Sequence, residues 1–191
     1  TGATGFLGIH ILKAYLDNYD GKVYCLVRKG SYESMEKRMM HMLMYYFDNP
    51  CEELFKERII CVDGDITSKE QVEGFAAYKF QTIINCAACV KHFAAGDVLE
   101  KINVTGVENL IDLCKNNARR LIQISTVSVS GEGSDGVPPR ARVVCENDLY
   151  IGQNITNEYI RTKFIAERAV LEAVADGLDG KIIRVGNLMS R

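Results

Sequence analysis

Apolar positions along this chain of 191 residues switch repeatedly between helical spacing and strand-length runs. Leu7, Ile11, Leu12, Tyr15 and Leu16 recur at three- and four-residue steps and predict an amphipathic helix at the start. Residues 22–28 alternate around a short apolar core and read as a strand. Helical spacing returns over 31–47, where Met35, Met39, Leu43 and Phe47 stand four apart. A methionine stripe of this kind is core packing before it is a partner groove. Residues 58–62 and 81–86 are apolar runs of strand length, and 68–77 between them is a modest helix opening on a Ser cap. A strong helix covers 97–116, with Val98, Ile102, Val107, Leu110, Ile111 and Cys114 on one face. A strand over 120–124 follows. The stretch 131–155, rich in Gly, Pro and charge, reads as a loop long enough to suggest a functional role. A helix over 157–175 and a strand over 181–185 complete the pattern.

Strands that alternate with helices imply right-handed crossovers, and hence a doubly wound α/β fold: a parallel sheet with helices on both faces. Five strands are visible. A sixth is expected ahead of Thr1, because the glycine-rich turn Thr1-Gly2-Ala3-Thr4-Gly5-Phe6-Leu7-Gly8 normally follows a strand. On that reading residues 1–191 are one domain, a fragment of a longer unit and not active alone. No repeat, linker or low-complexity tract interrupts it. Ligands of such sheets bind beyond the carboxyl ends of the strands, so the residues just after each strand carry the chemistry.

Composition narrows the classes. With 47% hydrophobic and 25% charged residues the chain can bury an ordinary globular core. A net charge of −2 gives no electrostatic case for nucleic acid or for an anionic membrane. No apolar run approaches the ~20 residues of a bilayer span, and no signal peptide is visible. The seven cysteines are odd in number, and several sit inside apolar runs. They read as small core residues in a reducing, cytoplasmic compartment. Cys86-Ala-Ala-Cys89 matches C-x-x-C, but Cys86 ends a strand where a redox pair would open a helix. No second pair exists to complete a zinc site.

The opening turn is a G-x-x-G-x-x-G sequence running into a helix. Gly2 can adopt backbone angles closed to other residues, Gly5 admits a phosphate close to the main chain, and Gly8 permits tight packing of helix on strand. The helix N-terminus then offers free N–H groups to a pyrophosphate. An ordinary tight turn is the competing reading. Arg28, after the next strand, suits the 2′-phosphate of NADP where an NAD site carries Asp or Glu, or else it is a solvated basic turn. Arg38 is a second candidate of the same kind. Asp65 and Ile66 can hold an adenine, or belong to a simple Asp-Gly turn. Ala87 and Ala88 leave room for a ribose beside the backbone. Asn103 either braces that strand end or points to water.

Tyr159-Ile-Arg-Thr-Lys163 places a phenol and an ammonium about one helical turn apart. The cation is expected to lower the phenol's pKa and make Tyr159 a proton donor near neutral pH. Ile124-Ser125-Thr126-Val127-Ser128 ends a strand with hydroxyls able to hold a developing oxyanion.

Together these segments resemble the extended short-chain dehydrogenase/reductases, and within them the thioester reductases: the terminal reductase domains of nonribosomal peptide synthetases, carboxylic acid reductases and aminoadipate reductases. The resemblance rests on the opening turn, Val27-Arg28, Gly64-Asp-Ile66, Asn103-Val-Thr-Gly106, Ile124-Ser-Thr-Val-Ser-Val129, Asn157-Glu-Tyr-Ile-Arg-Thr-Lys163 with Ala166-Glu167, and Arg184-Val-Gly-Asn-Leu-Met-Ser-Arg191. It implies a Rossmann-like fold, a catalytic triad of Thr126, Tyr159 and Lys163, and no metal. It also implies a cofactor-binding set of Gly2, Thr4, Gly5, Phe6, Leu7, Gly8, Arg28, Arg38, Asp65, Ile66, Ala87, Ala88, Asn103, Lys163 and Gly186. The implied reaction is NADPH-dependent reduction of an acyl or peptidyl thioester on a carrier protein's phosphopantetheine arm to an aldehyde, or on to the alcohol, within a multidomain chain. The alternatives are a fatty acyl-CoA reductase, an NAD-dependent sugar-nucleotide epimerase or dehydratase, and an NADP-sensing protein without catalysis. Lys91-His92 departs from the Asn-His common in relatives. Relatives continue past the last strand into a mainly helical substrate region, which residues 1–191 are not expected to include.

Overall fold

The computed structural model describes residues 1–90, 97–117, 119–131 and 143–188. Helix α1 (Phe6–Asn18) leads to β1 (Val23–Leu26), α2 (Met35–Phe47) and β2 (Ile59–Val62). Then come α3 (Lys69–Gly74), β3 (Thr82–Asn85), α4 (Val98–Glu100), a π-helical stretch (Lys101–Thr105) and α5 (Gly106–Asn116). Strand β4 (Arg120–Thr126), α6 (Glu158–Ala175) and β5 (Gly180–Val185) follow.

Among the described residues every strand pair is parallel. β1 lies beside β2 with Val23 opposite Ile59, and β4 lies between β3 and β5 with Ile122 opposite Ile84 and Lys181. Two apolar cores flank the strands. One joins α1 and α2 to β1 and β2 through Ile9, Leu12, Leu16, Met39, Leu43 and Ile59. The other joins α3, α5 and α6 to β3 and β4 through Val72, Ile83, Leu110, Leu121, Ala166 and Val170. Along β1, Cys25 faces the first core while its neighbour Leu26 packs on the second. Successive side chains of a strand point to opposite faces, so helices cover both sides. The doubly wound α/β architecture is therefore present.

β1 and β3 are not hydrogen-bonded to each other. A cavity of about 1290 Å³ lies between them, lined by Ile11 and Tyr15 of α1, Tyr24 of β1 and Ile84 of β3. It has the place in the strand order that the expected further strand would take. Part of the stripe predicted on α1, Ile11 and Tyr15, faces this opening, while Ile9 is buried in its stead.

Helix α2 starts four residues later than its periodicity suggests, because the Ser34 hydroxyl caps it by accepting from the Lys37 N–H at 3.2 Å. Strand β4 runs two residues further than expected, so Ser125 and Thr126 belong to it. The helix predicted over 97–116 is interrupted by the π-helical turn around Asn103. Residues 132–142 of the predicted loop, Lys91-His92, and the final Met189-Ser190-Arg191 lie outside the described residues. No described helix is long and apolar enough to cross a membrane. The cysteines are free; Cys25, Cys51 and Cys114 are buried as expected, whereas Cys145 is exposed.

Candidate active site

The opening turn is stitched to the end of β3. The Thr1 N–H donates to Ile84 O at 2.8 Å and the Cys86 N–H to Thr1 O at 3.2 Å, while the Thr1 hydroxyl donates to Asn85 Oδ1. Gly2 has φ +70°, and a Cβ there would sit 2.5 Å from Ala87 N. Only glycine fits, on both counts. Gly8 plays a different part from the one expected. A Cβ on it would meet Gly2 O at 2.1 Å, so it packs the helix on its own turn, and not on a strand.

Helices α2, α3 and α6 are capped by Ser34, Ser68 and Asn157, whereas α1, like the short α4, has no side-chain cap, its N-cap residue being Gly5. Its first N–H groups are left for another acceptor, which is the arrangement an anion such as a pyrophosphate requires. Beside it is a cleft of about 100 Å³ lined by Gly2, Thr4, Arg28, Arg38, Asp65, Ile66 and Ala87. Arg28 Nη1 stands 3.4 Å from Asp65 Oδ2, and Arg38 Nη1 donates to Arg28 O. Burial raises the Asp65 carboxyl, but hydrogen bonds from Thr67 and the Arg28 guanidinium outweigh it and hold the group below its ordinary range. Phe6 turns away, its ring 4.6 Å from that of His10 and 5.6 Å from that of Tyr46. Leu7, Ala88 and the exposed Gly186 also lie off the cleft lining.

Asn103 is buried and braces the segment after β3. Its Oδ1 accepts from Cys89 N at 2.8 Å, and its Nδ2 donates to Cys89 O and to Thr162 Oγ1, each at 3.0 Å. The π turn brings it there, as such turns often do at functional sites. Its amide is bonded to Cys89 and Thr162, so Asn103 ties the segment after β3 to α6. Burial pushes the Cys86 thiol pKa up, which opposes thiolate chemistry at the C-x-x-C pair.

The end of β4 separates its two hydroxyls. Ser125 points inward, buried, with its Oγ bonded to nothing among the described residues. Thr126 faces the other way and is partly exposed; its Oγ1 accepts from Ser128 N at 3.2 Å, leaving its own proton to donate elsewhere. Lys163, buried on α6, donates to Ile124 O at 2.6 Å. Burial pulls its pKa down to about 8, against the opposing pull of Glu167 and Cys86. Tyr159 is where the expectation fails in sign. Burial raises its phenol pKa, and the neighbouring lysine does not offset this. The phenol therefore keeps its proton at neutral pH.

Two buried polar groups that the sequence does not mark as site residues, Glu167 and Gln123, stand close by, together with the partly exposed Gln153. Glu167 is fully buried on α6 and gripped by Arg184 of β5, with Nη2–Oε2 at 2.8 Å. Gln123 accepts from Asn85 Nδ2 at 2.8 Å inside the core. Gln153 ties the loop ahead of α6 to Val129 O at 2.9 Å. The signal for Glu167 was a charge on the inward face of α6, four residues after Lys163.

A family profile described as male sterility protein, an NAD-binding domain, matches residues 1–191. The chain belongs to this family. It is 32% identical to a linear gramicidin synthase of Brevibacillus parabrevis, over 98% of this chain and 4% of that protein. A solved thiolation-reductase di-domain from an archaeal nonribosomal peptide synthetase is 42% identical with a TM-score of 0.90, covering 100% of this chain and 41% of that one. The reductase domain of the aureusimine biosynthetic cluster is 36% identical with a TM-score of 0.82, over 99% and 48%. Within the family the chain is thus similar to reductase domains of peptide synthetases with a Rossmann-like fold, and it spans under half the length of these solved chains.

Proposed function

We propose that this chain carries the cofactor and catalytic groups of an NADPH-dependent reductase that releases an acyl or peptidyl thioester from a carrier protein as an aldehyde. The observation that carries the reading is the joint presence of an uncapped, glycine-cradled helix start and the Thr126, Tyr159 and Lys163 set in a chain similar to reductase domains of peptide synthetases.

The residues fit a dinucleotide. The open N-terminus of α1 would hold the pyrophosphate, Ile66 and Asp65 the adenine end, and Arg28 with Arg38 the 2′-phosphate. When bound, the nicotinamide supplies a hydride to the thioester carbonyl carbon. The Thr126 hydroxyl, with Oγ1 already accepting from Ser128, donates to the oxygen on which negative charge develops. Tyr159, kept protonated by its burial, donates to the same oxygen and gives up its proton to it. The resulting hemithioacetal loses its hydroxyl proton as the C–S bond breaks, yielding the aldehyde and the pantetheine thiol. Lys163, charged at neutral pH and oriented by Ile124 O, has two N–H groups left to hold a ribose hydroxyl and to favour the phenolate left on Tyr159.

The test is reduction of a carrier-bound acyl thioester by the full-length protein, compared with the same acyl group on coenzyme A and with NADH in place of NADPH. Tyr159→Phe is expected to lower turnover by roughly 10²–10⁴-fold with NADPH binding unchanged. Full turnover in that variant ends the catalytic reading.

A further inference from the structure

We propose that Arg184 and Glu167 form a clasp that holds the segment 143–153 beside the active site, and that Arg184 is thereby a positioning residue for the pantetheine-linked acyl substrate. The inference rests on the reductase reading above and extends it to how the tethered substrate is held.

Glu167 is fully buried, and a carboxylate in that setting needs a partner of opposite charge. Arg184 supplies one in forked geometry, with Nε at 3.2 and 3.0 Å from the two carboxylate oxygens and Nη2 at 2.8 Å from one of them. The same guanidinium reaches out of the core. Nη2 donates to Asp148 O at 2.7 Å, and Nη1 makes a longer 3.5 Å contact with Cys145 O. Those two carbonyls belong to a turn closed on itself by Cys145 N to Asp148 Oδ2 at 2.8 Å and Asp148 N to Cys145 O at 3.1 Å. A hydrogen-bonded turn is thus fastened to a buried ion pair.

A second fastening lies at the other end of the segment. Gln153 Nε2 donates to Val129 O at 2.9 Å and to Leu149 O at 2.7 Å, and its Oε1 accepts from Ile151 N at 2.8 Å. Val129 sits in the turn directly after Thr126, and Glu167 one helical turn after Lys163. The segment is therefore referenced to the two elements that carry the proposed catalytic groups. The segment exposes Val144, just ahead of the first fastening, and Tyr150, between the two, apolar surface of the kind a pantetheine arm and acyl chain would lie against.

Arg184→Lys separates the two halves of the clasp. One ammonium can neutralise Glu167 but cannot also reproduce the fork toward Asp148 and Cys145. In the full-length protein this variant is expected to raise KM for the carrier-bound thioester about tenfold, with kcat and NADPH binding within about twofold, as for loss of one charge-assisted hydrogen bond. Amide exchange over 145–153 is expected to accelerate by a similar factor. The double variant Glu167→Gln/Arg184→Met, which replaces the pair with neutral groups of like size and should fold, is expected to show the same loosening. Wild-type KM together with wild-type exchange overturns the proposal, and so does a parallel fall of kcat and NADPH binding, which marks a purely structural role. If the wild-type protein reduces no thioester, the reductase reading fails and the substrate-holding role with it; exchange over 145–153 then still judges the clasp itself.

Discussion

Replacing Arg28 by Ala tests the proposed cofactor preference most directly. The Arg28 side chain is 65% exposed and stands 3.4 Å from a carboxylate that is itself 34% exposed. An ion pair so open to water is worth about 0–1 kcal/mol, so a ligand phosphate can draw the guanidinium away from Asp65 at little cost. A hydrogen bond from a charged donor contributes about 1.5–3 kcal/mol. After subtracting the lost Asp65 contact, about 0.5–3 kcal/mol remains, or about 2- to 150-fold in Kd. Arg28→Ala should therefore weaken NADPH by that factor and leave NADH within about twofold, since NADH has no 2′-phosphate for the lost group to contact. The assay is titration of the full-length protein with each nucleotide at fixed ionic strength, followed by calorimetry or nicotinamide fluorescence. Repeating it at higher salt should narrow the gap between variant and wild type, because the contact is solvent-exposed. Equal losses for the two nucleotides, or none for either, would refute the assignment.

Three further outcomes follow from the geometry of β4 and α6. Ser125→Ala removes a buried hydroxyl with no partner among the described residues, so melting temperature should hold or rise and turnover stay intact. Thr126→Val should cost turnover about 10²-fold, as for loss of one oxyanion donor, and matching losses in the two variants would contradict the division of roles. Lys163 carries its charge below its pKa of about 8 and loses it above. The pH profile of kcat/KM for NADPH, which reports the free enzyme, should therefore fall above about pH 8, and Lys163→Arg should carry that limb to higher pH; a flat profile to about pH 9.5 would show that this ammonium is not required.

Much of this protein follows from local pattern. The order of helices and strands, the parallel sheet, the glycine-rich turn and the Tyr159–Lys163 spacing all depend on periodicity and short-range sterics, which act between residues close along the chain. Gly2 could be read as a backbone position for the same reason. What the tertiary structure decided depends on partners brought from afar. Asn103 is a brace because Cys89 and Thr162 come to meet it. Ser125 and Thr126 part company because β4 extends two residues past its apolar run and its neighbours fix which face is interior. The sign of the Tyr159 shift turns on burial, which no spacing rule reports. The Glu167–Arg184 pair and its hold on the loop join residues 17 and 36 positions apart along the chain. A carboxylate's environment is set by what packs around it, so a sequence can mark it as unusual without saying what it grips.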